Sequence, residues 1–293
     1  MKLDVLSLQL TWDSLPDALV EFLELDWQRT YVLPITEQYR VLQTSISVPE
    51  DMTRVNYPDA EVYSARTPQG VFLKCKNTLL QISLQEKELR FAGEGTGLRL
   101  ILMLAISELL RLQGFMPLHS SAVYLDGGAV VMLGPSGTGK TTTLLQAARS
   151  QVPALSEDWS WIGQDLTLYP WDSGLHLLPD TVERFEDVLP ETRTWIPRGT
   201  RHKWRFEVGD LQWFQPQSCP LKQFWMLKRH TESALVAVPR LEFVRTLWEA
   251  SGMPLTREAS LLAQQGINRL LKVPARMLHL GFDVNFAELK NES

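Results

Sequence analysis

Apolar residues recur at two spacings along the chain, one typical of helices and one typical of strands. Residues 14–25 place Leu19, Phe22 and Leu23 on one face of a predicted helix. The segments that follow are shorter and alternate between apolar and polar residues, as half-buried strands do. These predicted strands lie at 41–48, 61–64, 71–74, 79–84 and 88–92. We therefore expect residues 1–95 to form a small α+β module with a structural, partner-binding or substrate-binding role.

Beyond this module, predicted helices alternate with short apolar strands. A buried helix is predicted at 98–113, followed by a strand at 116–125, the turn Asp126-Gly127-Gly128 and a second strand at 129–133. The remaining predicted elements are helices at 141–148, 181–188, 243–250 and 257–271, strands at 153–162, 166–169, 175–178, 221–228 and 273–280, and a basic loop at 190–205. Alternating helices and strands indicate an α/β domain, which we expect to cover residues 96–293.

The strand at 129–133 leads directly into a glycine-rich motif. Residues 134–141 read G-x-x-x-x-G-K-T, the phosphate-binding P-loop, and a helix follows. Strand, loop and helix in this order direct backbone N–H groups and a helix N-terminus at one anion. We expect Lys140 to reach the β- and γ-phosphates of ATP and the Thr141 hydroxyl to contact Mg²⁺. The predicted nucleotide-binding residues are Gly134, Pro135, Ser136, Gly137, Thr138, Gly139, Lys140, Thr141 and Thr142.

Two adjacent acidic residues follow the motif. Glu157 and Asp158 lie within the predicted strand at 153–162, and P-loop proteins hold their second Mg²⁺ contact at such a position. Adjacent side chains in a strand point to opposite faces, so both acids reach one site only if the strand ends or bends there. The alternative interpretation is a solvated turn.

Two further features lie near the predicted nucleotide site. His119 stands at the start of a strand that pairs with the P-loop strand, where it could be either structural or functional. The loop at 190–205 is basic, and its Arg201, Lys203 and Arg205 could contact phosphate or an acidic substrate. The alternatives are a solvated basic face and, for Arg205, a surface ion pair with Glu207.

Composition and charge narrow the classes of function. The chain has 293 residues, of which 44% are hydrophobic and 22% charged, so it can bury a substantial core. Its net charge of −5 gives no electrostatic support for binding nucleic acid. The two cysteines, Cys75 and Cys219, form neither a disulfide framework nor a metal knot, which suits a reducing compartment.

The sequence also bears on location. The N-terminus lacks the basic region and apolar core of a signal peptide. The most apolar segment, 98–112, carries Arg99, Glu108 and Arg111, and its apolar run is too short to cross a bilayer. We therefore expect a cytoplasmic protein with no membrane contact. The sequence leaves open whether the chain forms a homo-oligomer.

Taken together, the histidine, the P-loop motif and the acidic pair resemble the HPr kinase/phosphorylase family and, more closely, its HPr-kinase-related offshoots. That family has a histidine in a strand, a hairpin into a P-loop, a short helix, and a strand that bears two acids. His119, residues 134–141 and the pair Glu157-Asp158 occupy these places, and the resemblance covers residues 114–282. The P-loop alone is shared by many NTPases, so the histidine and the acids at this spacing carry the specificity.

The resemblance implies a P-loop kinase domain, related to ATP-dependent phosphoenolpyruvate carboxykinase, that phosphorylates a Ser or Thr hydroxyl. By position in the family's motif, Asp158 would bind Mg²⁺, and Glu157 would accept the proton of the substrate hydroxyl. His119 would lie beside that carboxylate and position it or the substrate. Lys140, Mg²⁺ and a nearby arginine would supply charge neutralisation.

This chain departs from the family in two ways. Glu157 stands where the family has Asp, and the Arg-Gly-Leu-Gly-type signature that follows the acidic strand is missing; residues 198–201 only echo it. HPr itself is therefore not the expected acceptor. Related kinases accompany peptide natural-product pathways, including those of lasso peptides, so we expect a Ser- or Thr-bearing peptide or protein. The alternatives are a kinase for a small-molecule hydroxyl and a non-catalytic nucleotide-binding regulatory module.

Overall fold

A computed structural model describes residues 1–27, 33–55, 57, 60–198, 201–281, 284, 286 and 289, with the backbone alone at 197, 198 and 201. Within these residues the chain is a mixed α/β protein. The helices are α1 (Asp17–Trp27), α2 (Thr96–Leu112), α3 (Lys140–Arg149), α4 (Pro179–Arg184), α5 (Arg240–Ser251) and α6 (Arg257–Leu270).

The strands fall into two groups along the chain, one before α2 and one after it. In the N-terminal part they are β1 (Lys2–Val5), β2 (Leu8–Thr11), β3 (Glu37–Gln43), β4 (Thr53–Val55), β5 (Val62–Thr67), β6 (Gly70–Cys75), β7 (Thr78–Ser83) and β8 (Glu88–Ala92). After α2 they are β9 (Met116–Leu118), β10 (Ser121–Leu125), β11 (Gly128–Leu133), β12 (Ala154–Ser156), β13 (Ser160–Ile162), β14 (Thr167–Pro170), β15 (Gly174–Leu177), β16 (Thr194–Arg198), β17 (Arg201–Glu207), β18 (Cys219–Arg229), β19 (Ala234–Ala237) and β20 (Ala275–Leu280).

The chain divides into two compact units, and the first is built on one sheet. It comprises residues 1–114 and 253–263. Its eight strands are ordered β1-β2-β3-β8-β7-β6-β5-β4, and the predicted hairpin of β5 and β6 is present as an antiparallel pair. The strand predicted at 41–48 lies earlier, as β3. Strands β1, β2 and β4 were not predicted, because each is too short to show a clear alternation.

The first unit extends beyond the boundary that the sequence suggested at residue 95. Helix α2 belongs to this unit, because it packs against β6 and β7. The buried carboxylate of Glu108 in α2 accepts the N–H groups of Leu255 (2.9 Å) and Thr256 (2.6 Å), as well as the Thr256 hydroxyl. These bonds satisfy backbone donors at the start of α6, and they explain why a segment so distant in sequence joins the unit.

The second unit comprises residues 115–252 and 264–293 and contains two sheets. The larger sheet has the order β12-β10-β11-β18-β14-β13-β9, and β20 pairs with both β18 and β19. Strands β11, β18 and β20 run parallel to one another. In sheets of this kind, ligands bind at the carboxyl ends of the parallel strands. The core of this unit contains Leu144 of α3, Trp225 of β18 and Phe206 of β17, all fully buried.

The smaller sheet, β15-β17-β16, corrects the expected loop at 190–205. Strands β16 and β17 form an antiparallel hairpin, in which Trp195 pairs with Trp204 and Ile196 pairs with Lys203. The basic residues concealed this alternation. Phe206 anchors β17 in the core. Trp204 is partly buried and packs against the same core. Residues 199 and 200 lie outside the described part of the chain.

Two predicted strands are each interrupted once. The strand expected at 116–125 is split into β9 and β10 by His119 and Ser120, and these two halves pair with different strands. The strand expected at 153–162 is split into β12 and β13 by residues 157–159. Both interruptions fall at the residues for which the sequence predicts chemistry. None of the helices in the described residues has the length and apolar character needed to span a bilayer.

Candidate active site

The motif at 134–141, here called the glycine loop, connects β11 to α3. Gly137 and Gly139 have φ angles of 81° and 111°, which residues with a Cβ rarely adopt. The Thr138 hydroxyl donates to the carbonyl of Pro135 at 2.7 Å and so closes the turn within the loop. The loop curls into the N-terminus of α3, as predicted from the sequence. Pro135 and Ser136 lie exposed at its outer edge.

Lys140 lies beneath the glycine loop. Its Nζ donates to the carbonyl of Gly134 at 2.8 Å, and the side chain is buried. Burial lowers the pKa of this amine, while the nearby charges of Asp158 and Glu157 oppose that shift. The lysine therefore shares an electrostatic environment with both acids of the predicted pair.

Glu157 lies against the start of α3. The Thr141 hydroxyl donates to Oε1 of Glu157 at 2.8 Å, and the glutamate is only 6% exposed. Burial, together with the charges of Asp158 and Asp172, raises the pKa of Glu157 to about 8, although the Thr141 hydroxyl and the charge of Lys203 act in the opposite direction. Because burial disfavours the ionised form of this carboxylate, a cation bound beside Glu157 would stabilise that form.

Asp158 faces a different neighbour. Its Oδ1 lies 2.8 Å from Nε2 of His119, and the side chains of Asp158 and His119 are 37% and 45% exposed. The family resemblance predicted His119 beside Glu157, but the structure pairs His119 with Asp158. Since β12 ends at Ser156, the two adjacent acids lie outside the strand and contact separate neighbours.

The two strand interruptions are bonded to each other. The N–H of Ser120 donates to the carbonyl of Asp158 at 3.2 Å, and the Ser121 hydroxyl donates to the carbonyl of Glu157. The N–H of His119 donates to the carbonyl of Ala250 at 2.8 Å. These bonds satisfy backbone groups that no ladder reaches, and they fix the histidine beside the acidic turn.

Asp172 is a member of the site that the sequence analysis missed. Its Oδ2 accepts the N–H groups of Glu157, Asp158 and Trp159 at 2.6, 3.1 and 3.4 Å. Burial, followed by the charge of Asp158, raises the pKa of Asp172 to about 6, while these backbone N–H groups lower it. The sequence shows Asp172-Ser173-Gly174 only as a turn, since no local pattern reveals its contact with residues 157–159.

The predicted basic contacts separate into different environments. Lys203 is partly buried on β17, and its charge lowers the pKa of Glu157, so it lies within electrostatic reach of the acids. Arg205 instead donates to both carboxylate oxygens of Glu207, at 2.8 and 3.0 Å. The side chain of Arg201 lies outside the described part of the structure.

A cavity of about 300 Å³ adjoins the glycine loop at the carboxyl ends of β18 and β20. Strand β18 continues beyond the end of β11 to Arg229, whose Nη2 donates to the carbonyl of Gly137 at 2.8 Å. Arg229 was not predicted as part of the site, because it lies 92 positions from Gly137 and no local sequence pattern links it to the loop. The cavity is lined by Thr138, Gly139, Thr142, Thr143, Gln146, Arg184, Arg229, His230, Leu280 and Gly281.

Dedicated metal cages require several ligands in one place. The part of the chain that the structure describes contains no group of three or more His, Cys, Asp or Glu side chains placed to hold a metal ion. Magnesium in phosphoryl-transfer sites is commonly bound by one or two carboxylates together with substrate phosphates and water. The hard oxygens of Thr141 and Glu157, 2.8 Å apart, fit that type of site.

Comparison with known proteins adds no relative to this picture. The chain matches no protein-family model, and none of the curated proteins compared is significantly similar to it in sequence.

Proposed function

We propose that the second unit is a P-loop kinase domain of the HPr kinase and phosphoenolpyruvate carboxykinase type. It transfers the γ-phosphoryl group of ATP to a Ser or Thr hydroxyl of a peptide or protein. One observation carries this proposal. A P-loop motif is bonded through Thr141 to Glu157, while the next residue, Asp158, is paired with His119.

ATP would occupy the glycine loop and the cavity beside it. The backbone N–H groups at the start of α3 and the Lys140 amine are suited to the β- and γ-phosphates. The cavity at the carboxyl ends of β18 and β20 offers room for the nucleoside beside Thr142. Arg229, which bonds the loop at Gly137, would keep the loop in shape at the edge of this cavity.

The contacts favour dividing the acids in the opposite way to the family-based expectation. Glu157 is buried and bonded to Thr141, so we assign it, with Thr141, to the magnesium ion. A magnesium ion held there would offset the negative charge that develops on the transferring phosphoryl group. Asp158 is accessible and paired with His119, so we assign it to the acceptor hydroxyl.

The transfer then follows from these positions. The hydroxyl oxygen of the acceptor attacks the γ-phosphorus as the bond from that phosphorus to the bridging oxygen of ADP breaks. The hydroxyl proton passes to Oδ2 of Asp158, while Oδ1 stays near Nε2 of His119. A positioned base of this kind contributes about 10²–10⁴-fold to the rate. Alignment of the groups and neutralisation of charge by Lys140 and Lys203 supply the rest.

Transfer of labelled phosphate tests the proposal. The protein is incubated with Mg²⁺, γ-labelled ATP, and peptides encoded beside its gene, and the products are mapped by mass spectrometry. We expect label on a Ser or Thr of one peptide, with Asp158→Asn inactive and the surface variant Lys222→Ala active. Label on a small molecule alone would indicate the small-molecule kinase. Nucleotide binding without turnover for any acceptor would indicate the regulatory module.

A further inference from the structure

Asp172 holds the turn that carries both acids. One of its oxygens, Oδ2, accepts N–H groups from three consecutive residues, Glu157, Asp158 and Trp159. Consecutive N–H groups that converge on one anion form a concave backbone surface, which is known to bind anionic groups. Here the anion is a side chain of the same chain, 14 positions beyond Asp158.

The other side of the same turn is also fixed. Its carbonyl groups at Glu157 and Asp158 accept bonds from Ser121 and Ser120. The turn is therefore held through its N–H groups by Asp172 and through its carbonyl groups by the segment that carries His119. With both sets of backbone groups engaged, the peptide planes of the turn cannot rotate without losing a bond.

We infer that Asp172 is a positioning residue, which fixes the acidic turn so that Glu157 meets Thr141 and Asp158 meets His119. Asp172 itself would contact neither the nucleotide nor the acceptor. Its carboxylate makes charge-assisted bonds, which a neutral amide in its place would weaken. The effect of Asp172 on transfer rests on the proposed function. That Asp172 fixes the turn follows from the hydrogen bonds alone.

Hydrogen exchange tests the hold directly. We compare wild type, Asp172→Asn, Asp172→Ala and the control Asp165→Asn, with correct folding checked by circular dichroism. Asp165 is a fitting control, because it accepts the N–H and hydroxyl of Thr167 in a turn between β13 and β14. We expect amide exchange at 157–159 to accelerate about tenfold or more in both Asp172 variants and to remain at the wild-type rate in the control. Unchanged exchange in folded Asp172→Asn would overturn the inference.

Magnesium dependence tests the consequence for the site. Loss of a residue that orients a ligand commonly lowers metal affinity or activity by about 10–100-fold. In Asp172→Asn we expect ATP affinity without Mg²⁺ to stay within about twofold of wild type, while the gain in affinity on adding Mg²⁺ shrinks by about tenfold. If a variant with faster exchange keeps the wild-type gain in ATP affinity on adding Mg²⁺, Asp172 has only a structural role and the positioning role is overturned.

The two readouts separate failure of the inference from failure of the proposed function. If wild type shows no Mg²⁺-dependent affinity for ATP, the proposed function fails. The exchange measurement still decides whether Asp172 holds the turn. Accelerated exchange confined to residues 157–159 would then support the hold, and unchanged exchange would refute it.

Discussion

The hydroxyl of Thr141 donates a hydrogen bond to Oε1 of Glu157 at 2.8 Å. This contact joins the start of α3 to the turn between β12 and β13, which lies 16 positions away in the chain. It places a buried carboxylate beside the residue type that binds Mg²⁺ in P-loop proteins, and leaves Asp158 to face His119.

Lys140 should dominate nucleotide affinity. Its amine lies under the glycine loop, 2.8 Å from the Gly134 carbonyl, and no other lysine belongs to the loop. Lys140→Ala should weaken ATP binding at least about tenfold, or about 1.4 kcal/mol, by calorimetry. Lys222→Ala, which removes an exposed lysine from β18, serves as the control. An unchanged dissociation constant in folded Lys140→Ala would contradict this role.

The free energy of unfolding should depend on pH, because the pKa of Glu157 is raised in the folded protein. Its pKa in the folded protein, about 8, lies above the ordinary 4.5, so the folded state binds the proton more tightly. The corresponding stability is fully present below pH 4.5 and is lost as the pH rises through about 8. A difference of one pKa unit corresponds to about 1.4 kcal/mol.

Glu157→Gln should therefore stabilise the metal-free protein more at high pH than at low pH. We expect its melting temperature to exceed that of wild type near pH 8, and the difference to shrink towards pH 5, where wild-type Glu157 is protonated. Melting is followed in the presence of EDTA, with the exposed Glu183→Gln as control. A difference that is constant across this pH range would contradict the raised pKa.

His119 should support transfer without contributing to nucleotide affinity. His119→Ala removes the group 2.8 Å from Oδ1 of Asp158 but no contact of the glycine loop. We expect transfer to slow by about 10²-fold or more, the lower range for a positioned acid–base group, with ATP affinity unchanged. His119→Gln, which keeps an N–H donor, should retain more activity than His119→Ala. The exposed His202→Ala is the control, and equal wild-type rates for all three variants would return His119 to a structural role.

Lys203 and Arg205 should differ although they occupy one face of β17. The charge of Lys203 lowers the pKa of Glu157, whereas Arg205 forms a salt bridge with Glu207. Lys203→Ala should slow transfer about tenfold, since a charge near the developing negative charge is lost. Arg205→Ala should change the rate little, because a pair with an exposed partner contributes about 0–1 kcal/mol. Wild-type rates for both variants would show that this face of the hairpin is not part of the site.

Local patterns predicted the elements that carry the site. The turn at Asp126-Gly127, the apolar strand β11 and the glycine loop are contiguous in sequence, so their order shows the hairpin and the start of α3 directly. The adjacent acids were recognised for the same reason. Their orientation was not, because it depends on where β12 ends and on the bonds that Ser120 and Ser121 make across the sheet.

The features that the sequence did not reveal depend on contacts between distant residues. Asp172 resembles any turn aspartate until residues 157–159 are placed around it. Arg229 ends a strand that meets the glycine loop 92 positions away from Gly137. The hairpin of β16 and β17 was concealed by its basic residues. Its strand character comes from the burial of Phe206, which only the folded core determines.

Calorimetric titration of ATP with and without Mg²⁺ shows which of the two acids binds the metal ion. It is carried out on wild type, Glu157→Gln and Asp158→Asn. We expect wild type and Asp158→Asn to bind ATP more tightly when Mg²⁺ is present, and Glu157→Gln to lose this gain while its metal-free affinity remains. If the gain instead survives in Glu157→Gln and disappears in Asp158→Asn, or if wild type shows no gain at all, the assignment of Thr141 and Glu157 to the metal is contradicted.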